Sequence, residues 1–260
     1  MAGAALPGRL NSRLTWRLAT VAAVTAETPD VESIALDVPG WPGHVAGQHV
    51  DVRLTAEDGY VAQRAYSIAS PPEAPRVAVT VARVRDGEVS SFLLEELRAG
   101  DRLELRGPIG GYFTWESSQG GPLLLVAGGS GVVPLMAMVR HRFAVGSTVP
   151  IRLLVSSRSF VDVIYRDELA HLSGLDAGIT VTHALTRAQP AGWTGYDRRI
   201  DREMLAEVGW PAEDRPLVFV CGPTPLVESV AAALTGLGHE PGRVKTERFG
   251  PSGGDGGGGS

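Results

Sequence analysis

The stretch PLLLVAGGSGVVPLMAMVRHRFAVG, residues 122–146, decides how this chain folds. Its first apolar run, Leu123 to Val126, is short and has no polar face, the pattern of a strand covered on both sides. Gly128, Gly129 and Gly131 then permit a tight turn, and a helix is expected to open near Pro134. A strand, a glycine turn and a helix N-terminus make a seat for phosphate, because the first helical N–H groups are free and carry partial positive charge. The pattern is G-x-G-x-x-P over 129–134, and alone it fits plain loop geometry as well as it fits a nucleotide. Gly-Gly-Ser-Gly and Pro134 break the apolar run 123–139, whereas a membrane-spanning helix needs roughly 20 apolar residues.

Downstream, strand and helix alternate. PIRLLVSSR precedes YRDELAHLSG, GITVTHALTR precedes DREMLAEVG, and PLVFVCGP precedes TPLVESVAAALTGLG. Near-continuous apolar strands alternating with amphipathic helices predict a parallel sheet covered on both faces. Upstream the rhythm differs. TWRLATVAAVTAE, VESIALDV, GQHVDVRLT, YVAQRAYSIAS, RVAVTVARV and DRLELRGP are rich in β-branched residues and are separated by Gly, Pro or Asp. Six such strands and one helix over 90–100 predict an antiparallel barrel. The fold class is therefore β + α/β, with the change of period at TWESSQGGP, residues 114–122. The expected divisions are an N-terminal arm over 1–13, a barrel domain over 14–117, an α/β domain over 118–250 and a Gly-rich tail over 251–260. Six of the last eight residues are glycine, which fits a natural linker, a disordered end or an expression remnant alike.

Composition narrows the classes of function. Apolar residues make up 43% and charged residues 20%, and the net charge of −5 gives no reason to expect nucleic acid or membrane as a partner. A single cysteine, Cys221, excludes an intrachain disulfide and a cysteine-ligated cluster or zinc site within these residues. The N-terminus has no apolar signal region, so a reducing, cytoplasmic setting is expected. The six histidines lack metal-ligand spacing, so no metal is expected, and neither a G-x-S-x-G turn nor a Walker loop occurs.

Two further stretches carry chemistry. In QRAYSIAS, residues 63–70, strand alternation points Arg64 and Tyr66 one way, and Ser67 lies just before the Pro71-Pro72 bend. CGP, residues 221–223, ends an apolar strand, where open α/β sheets place ligands, and Gly222 and Pro223 fix the turn. RAYS, GEVSSFL, GPIGGYF, GGSGVVP, CGP and a final ERFG (247–250) follow one another in this order. With these motifs the chain resembles the ferredoxin–NADP reductase superfamily over residues 14–250. It is most similar to short bacterial flavin oxidoreductases without an iron–sulfur domain.

The resemblance implies a flavin-binding barrel joined to a nicotinamide-nucleotide domain, with FAD and NADPH as cofactors and NADH possible. It implies that the strand carrying Arg64, Ala65, Tyr66 and Ser67 holds the flavin. Arg64 would pair with a phosphate, Tyr66 would pack on the isoalloxazine ring, and Ser67 would hydrogen-bond near N5. Gly87, Val89, Ser90 and Ser91 would receive the pyrophosphate at a helix start, which favours FAD over FMN; from the residues alone, Ser90 also reads as an N-cap. Gly129, Ser130, Gly131, Val132 and Pro134 would hold the second nucleotide's pyrophosphate. No Asp or Glu ends the second parallel strand, where an NAD site often has one. Ser157, Arg158, Thr186 and Arg187 would instead grip the 2′-phosphate of NADP, while Arg166 reads as a surface charge and Asp162 leaves NADH open. Ser67, Cys221 and Glu247 would surround the point of hydride transfer, with Phe249 shielding the flavin. From the residues alone Phe249 reads almost equally well as a core aromatic, and this chain continues past Gly250, where many relatives end in an aromatic residue.

The resulting expectation is a monomeric FAD-dependent NADPH oxidoreductase that passes electrons to a separate acceptor protein such as a ferredoxin, which could feed an oxygenase. An NAD(P)H-dependent flavin or quinone reductase is the alternative. A non-catalytic nucleotide-sensing module is the third reading.

Overall fold

A computed structural model describes residues 14–55, 59–175 and 178–249; the arm 1–13 and the tail from residue 250 lie outside the described residues. The first half forms one six-stranded antiparallel sheet. Its strands are β1 (Trp16–Thr28), β2 (Val31–Asp37), β3 (His49–Thr55), β4 (Val61–Ser67), β5 (Val77–Ala82) and β6 (Arg102–Ile109), in the order β4-β3-β6-β1-β2-β5. The two edges meet where Ile68 bridges Val79 and the Ala69 N–H donates to the Ala78 carbonyl at 2.7 Å, so the sheet closes into a barrel. Period-2 alternation turns Ile34, Leu36, Val50, Val52, Val79, Val81 and Leu105 inward.

Helix α1 (Glu88–Glu95) lies between β5 and β6 and seals the barrel with Val89 and Leu93. It starts and ends earlier than the sequence pattern suggested. Its N-cap is Gly87, so Ser90 is not the cap. Ser90 stands one turn in, where its hydroxyl donates back to the Gly87 carbonyl at 3.0 Å and accepts from the Val84 N–H at 3.2 Å. Gly87 has no side chain to offer, so the first turn of α1 carries no side-chain cap.

The second half is a five-stranded parallel sheet of β7 (Leu123–Gly128), β8 (Ile151–Ser159), β9 (Ile179–Ala188), β10 (Leu217–Pro223) and β11 (Val244–Phe249). Its order is β11-β10-β7-β8-β9. One face, with Leu123, Leu125, Leu153 and Phe219, packs on α2 (Val132–Ala144) and α3 (Arg166–Leu175). The other, with Leu124, Val126, Leu154 and Val218, packs on α4 (Arg202–Val208) and α5 (Thr224–Gly236). Strand order reverses between β7 and β10, and open α/β sheets bind ligands at the carboxyl edge of such a reversal.

The two halves share a core. Val31, Ala46, Ala69, Phe113 and Trp115 from the barrel side pack in the same cluster as Leu135, Met136, Met138 and Val139 of α2. This explains why α2 is apolar on every side from Val132 to Val139, since the sheet covers one side and the barrel the other. Each of its large side chains contributes roughly 1.5–3 kcal/mol by burial. Among the described residues no helix is long and apolar enough to cross a membrane.

Candidate active site

The seam opens into a cleft of about 150 Å³ lined by His49, Ala65 and Ser67 from the barrel and Glu247, Arg248 and Phe249 from β11. His49 and Ser67 are direct partners across β3 and β4, so their side chains stand together on one face. Alternation puts Ala65 on that face and Arg64 and Tyr66 on the other. Tyr66 is partly buried against the barrel core, and burial pushes its hydroxyl up to about 12 against the opposing influence of Arg64. Arg64 is exposed and donates to the Gln63 carbonyl at 2.7 Å. It stands close enough to Tyr60 to act on that phenol, and Tyr60 in turn donates to Glu88 in the first turn of α1. Arg64 and the uncapped start of α1 therefore share one region of the barrel surface.

On the sheet side, Gly129–Gly131 form a single 3₁₀ turn that leads from β7 into α2, which begins at Val132, two residues before Pro134. Gly131 is pressed against β10: a Cβ there would lie 2.1 Å from the Cys221 carbonyl oxygen. Gly222, at φ +151°, likewise packs on Gly128. Pro223 pairs with Phe249, and Cys221 pairs with Glu247. The Cys221 thiol is fully buried, and desolvation, with Glu247 nearby, raises its pKa well above the ordinary value. Burial of this kind favours the neutral thiol, which forms a compact surface at the end of β10.

Glu247 is the electrostatic outlier. Burial raises its carboxyl to about 7, and its Oε2 is buried with no hydrogen-bond partner. A carboxyl with a raised folded pKa binds its proton more tightly when folded, so its favourable contribution is complete below pH 4.5 and lost as pH rises through 7. In the flavin-free chain, Glu247→Gln should therefore unfold like the parent at about pH 4. It should be more stable at about pH 8, by on the order of 2–3 kcal/mol in urea titrations. An identical change at both pH values would show that the carboxyl is solvated.

At the carboxyl ends of β8 and β9, Ser157 is buried, its carbonyl accepts from the Thr186 hydroxyl at 3.2 Å, and Arg158 and Arg187 are exposed. Among the described residues neither arginine makes an ion pair. Arg166 pairs with Asp167 at 2.9 Å on the surface, and Asp162 accepts from Ser159 at 2.6 Å. Phe160 and Trp193 stand nearby with ring centroids 6.0 Å apart.

The structure thus gathers Ala65, Ser67, Glu247 and Phe249 at one cleft and Gly129, Gly131, Cys221 and Gly222 at the adjoining sheet edge. Arg64 and Gly87–Ser91 lie on the barrel side, and Ser157, Arg158, Thr186 and Arg187 lie at the far strand ends. Phe249 also packs on the shared core, as its reading as a core aromatic expects. His49 was missed by sequence reasoning; only the β3–β4 register reveals that it stands beside Ser67.

Residues 19–114 match the family described as "Oxidoreductase FAD-binding domain", and residues 125–232 match "Oxidoreductase NAD-binding domain". Ferredoxin–NADP reductase B of Sorangium cellulosum is 36% identical over 209 residues, which cover 78% of this chain and 84% of that protein. The glycine betaine monooxygenase reductase subunit of Pseudomonas aeruginosa is 32% identical over 234 residues, 88% of this chain. That alignment spans only 63% of the subunit's length. A ferredoxin–NADP+ reductase of Neisseria gonorrhoeae, solved with FAD and NADP bound, has the same fold. Its TM-score is 0.76 at 22% identity, over 90% of this chain and 98% of that one.

Proposed function

The chain belongs to the ferredoxin–NADP reductase family of FAD- and NAD-binding oxidoreductases, and from this premise we propose that it oxidises NADPH through FAD and hands the electrons to a separate carrier, a ferredoxin. The observation that carries the reading is the Glu247 carboxyl. Its Oε2 is buried with no hydrogen-bond partner among the described residues, the residue lines the cleft that Ser67 shares, and it is paired in register with Cys221 at the edge where the glycine turn arrives. A polar atom left open at the seam, facing the Ser67 strand, fits a ring that completes it, and the uncapped α1 beside Arg64 fits its diphosphate.

Bound there, FAD would supply the conversion of the electron pair of one hydride into two single-electron transfers. The chain's own contribution is alignment and electrostatics. Ser67 offers its hydroxyl toward the ring, and Glu247 can hold a proton near neutral pH. The neutral Cys221 thiol bounds the nicotinamide side without competing for it. The Gly129–Gly131 turn, whose glycines let the backbone come close, offers its N–H groups to the second diphosphate, and Phe249 lines the cleft. The P. aeruginosa relative is named as a monooxygenase reductase subunit, which supports a role upstream of an oxygenase.

The test is anaerobic reduction by NADPH and NADH in turn, followed by a panel of ferredoxins. Bleaching of bound flavin by NADPH and rapid reoxidation by a ferredoxin are expected. Protein that stays colourless after FAD is added would end the reading, and flavin lost easily on dialysis would favour a flavin reductase. Arg158 and Arg187 are assigned to the 2′-phosphate because they are unpaired cations on neighbouring strand ends. Arg187→Ala should raise KM for NADPH by an amount corresponding to about 1.5–3 kcal/mol and leave KM for NADH nearly unchanged. Equal effects on both cofactors would place the phosphate elsewhere.

A further inference from the structure

Tyr165 is a residue that neither the flavin reading nor the nucleotide reading uses. It is 2% exposed and holds φ +58°, a left-handed conformation that a bulky side chain rarely adopts. Its hydroxyl crosses the seam to the hydroxyl of Thr80 on β5, itself 5% exposed. Thr80 reaches Ser33 on β2 at 2.8 Å, and Ser33 donates to Glu27 on β1 at 2.6 Å. A hydroxyl has one proton to give, so the last bond sets the direction of the others. Ser33 donates to Glu27, Thr80 donates to Ser33, and Tyr165 donates to Thr80.

A second arm starts from the face of the same ring. The Arg140 guanidinium lies 4.5 Å from the Tyr165 ring centroid and grips Glu168 of α3 with bonds of 2.9 and 2.6 Å. Its remaining nitrogen donates to the Ala69 carbonyl at 2.7 Å. Ala69 is two residues beyond Ser67, and Arg140 sits on the helix whose first turn follows Gly129–Gly131. The nucleotide helix is thus tied to the end of the strand that carries Ser67.

The apolar seam holds the halves together, but hydrophobic contact is non-directional and leaves the angle between them free. Hydrogen bonds are directional, and a chain of them fixes that angle. We propose that Tyr165, acting through Thr80 and Arg140, is a positioning residue that sets the distance between the Ser67 side and the Cys221 side of the cleft, and so the alignment for hydride transfer. The proposal rests on the flavin-reductase reading. It predicts that losing the hydroxyl relay slows the transfer without loosening either cofactor.

The test uses the full chain loaded with FAD and the variants Tyr165→Phe, Thr80→Val, their combination, and Thr80→Ser. Single-turnover bleaching of flavin by saturating NADPH should slow about tenfold or more in Tyr165→Phe and in Thr80→Val, with flavin content and the NADPH concentration for half-saturation unchanged. The double variant should be no slower than either single one, because one break already interrupts the relay. Thr80→Ser should recover the parent rate. In the flavin-free chain, backbone hydrogen exchange at the Ile68 and Ala69 amides should quicken in both single variants. Parent-like bleaching in either single variant, additive losses in the double, or unchanged exchange would each overturn the proposal. A parent chain that takes up no FAD would instead defeat the reductase reading, while the exchange measurement would still decide whether the relay ties the halves together.

Discussion

Gly131→Ala is expected to lose about 3 kcal/mol or more of stability and most of the affinity for NADP+, while FAD uptake by the barrel survives. A Cβ at this position would sit 2.1 Å from the Cys221 carbonyl oxygen, 2.4 Å from its carbon and 2.7 Å from the Gly222 nitrogen. All three atoms are backbone of β10, a central strand held on both sides by β7 and β11, so no flexible side chain can give way. Relief would have to come from the turn, which lifts the N-terminus of α2 off the strand ends and moves the free N–H groups away from the diphosphate. Gly129 is the control. It has φ +53° but open space around its missing Cβ, so Gly129→Ala should cost about 1–2 kcal/mol through conformation alone. Urea unfolding and NADP+ titration of the FAD-loaded chain measure both quantities. A Gly131 variant no worse than the Gly129 variant would mean that the turn relaxes freely and that the strand does not fix the cradle.

The same geometry shows why some of this site could be read from residues and some could not. Leu123–Val126, the glycines after it and the CGP stretch are local signals, because one strand and the turn that follows it fix their meaning. β11 was not expected from its pattern. VKTERF places charged and polar residues between Val244 and Phe249, since this edge strand is covered by α5 on one side and open to the cleft on the other. His49 depends on register across two strands, and the relay from Tyr165 to Glu27 depends on four separate elements. Neither has a period that a sequence could display. Ser90 shows the reverse case. A serine near a helix start suggested a cap, but Gly87 ends the turn first and leaves the helix N-terminus bare.

That bare N-terminus governs the second large effect. Arg64→Ala should weaken FAD binding by roughly ten- to a hundredfold, the loss of a charge-assisted contact of about 1.5–3 kcal/mol. Among the described residues the Arg64 guanidinium makes a single bond, to the carbonyl of its neighbour Gln63, and has no carboxylate partner. Its removal should leave the flavin-free chain as stable as before, which separates a ligand contact from a structural one. Glu88, in the first turn of α1, opposes an incoming diphosphate, so the free N–H groups of that turn cannot hold it unaided and Arg64 must outweigh the carboxylate. Arg64→Lys should recover only part of the affinity, because an ammonium restores the charge but not the two-pronged fork. The parent's FAD dissociation constant should also rise with salt more steeply than that of Arg64→Ala, since the variant lacks the screened contact. Flavin affinity that is indifferent to both the alanine and the lysine substitution would place the diphosphate away from this strand, and the assignment of Ser67 to the ring would fall with it.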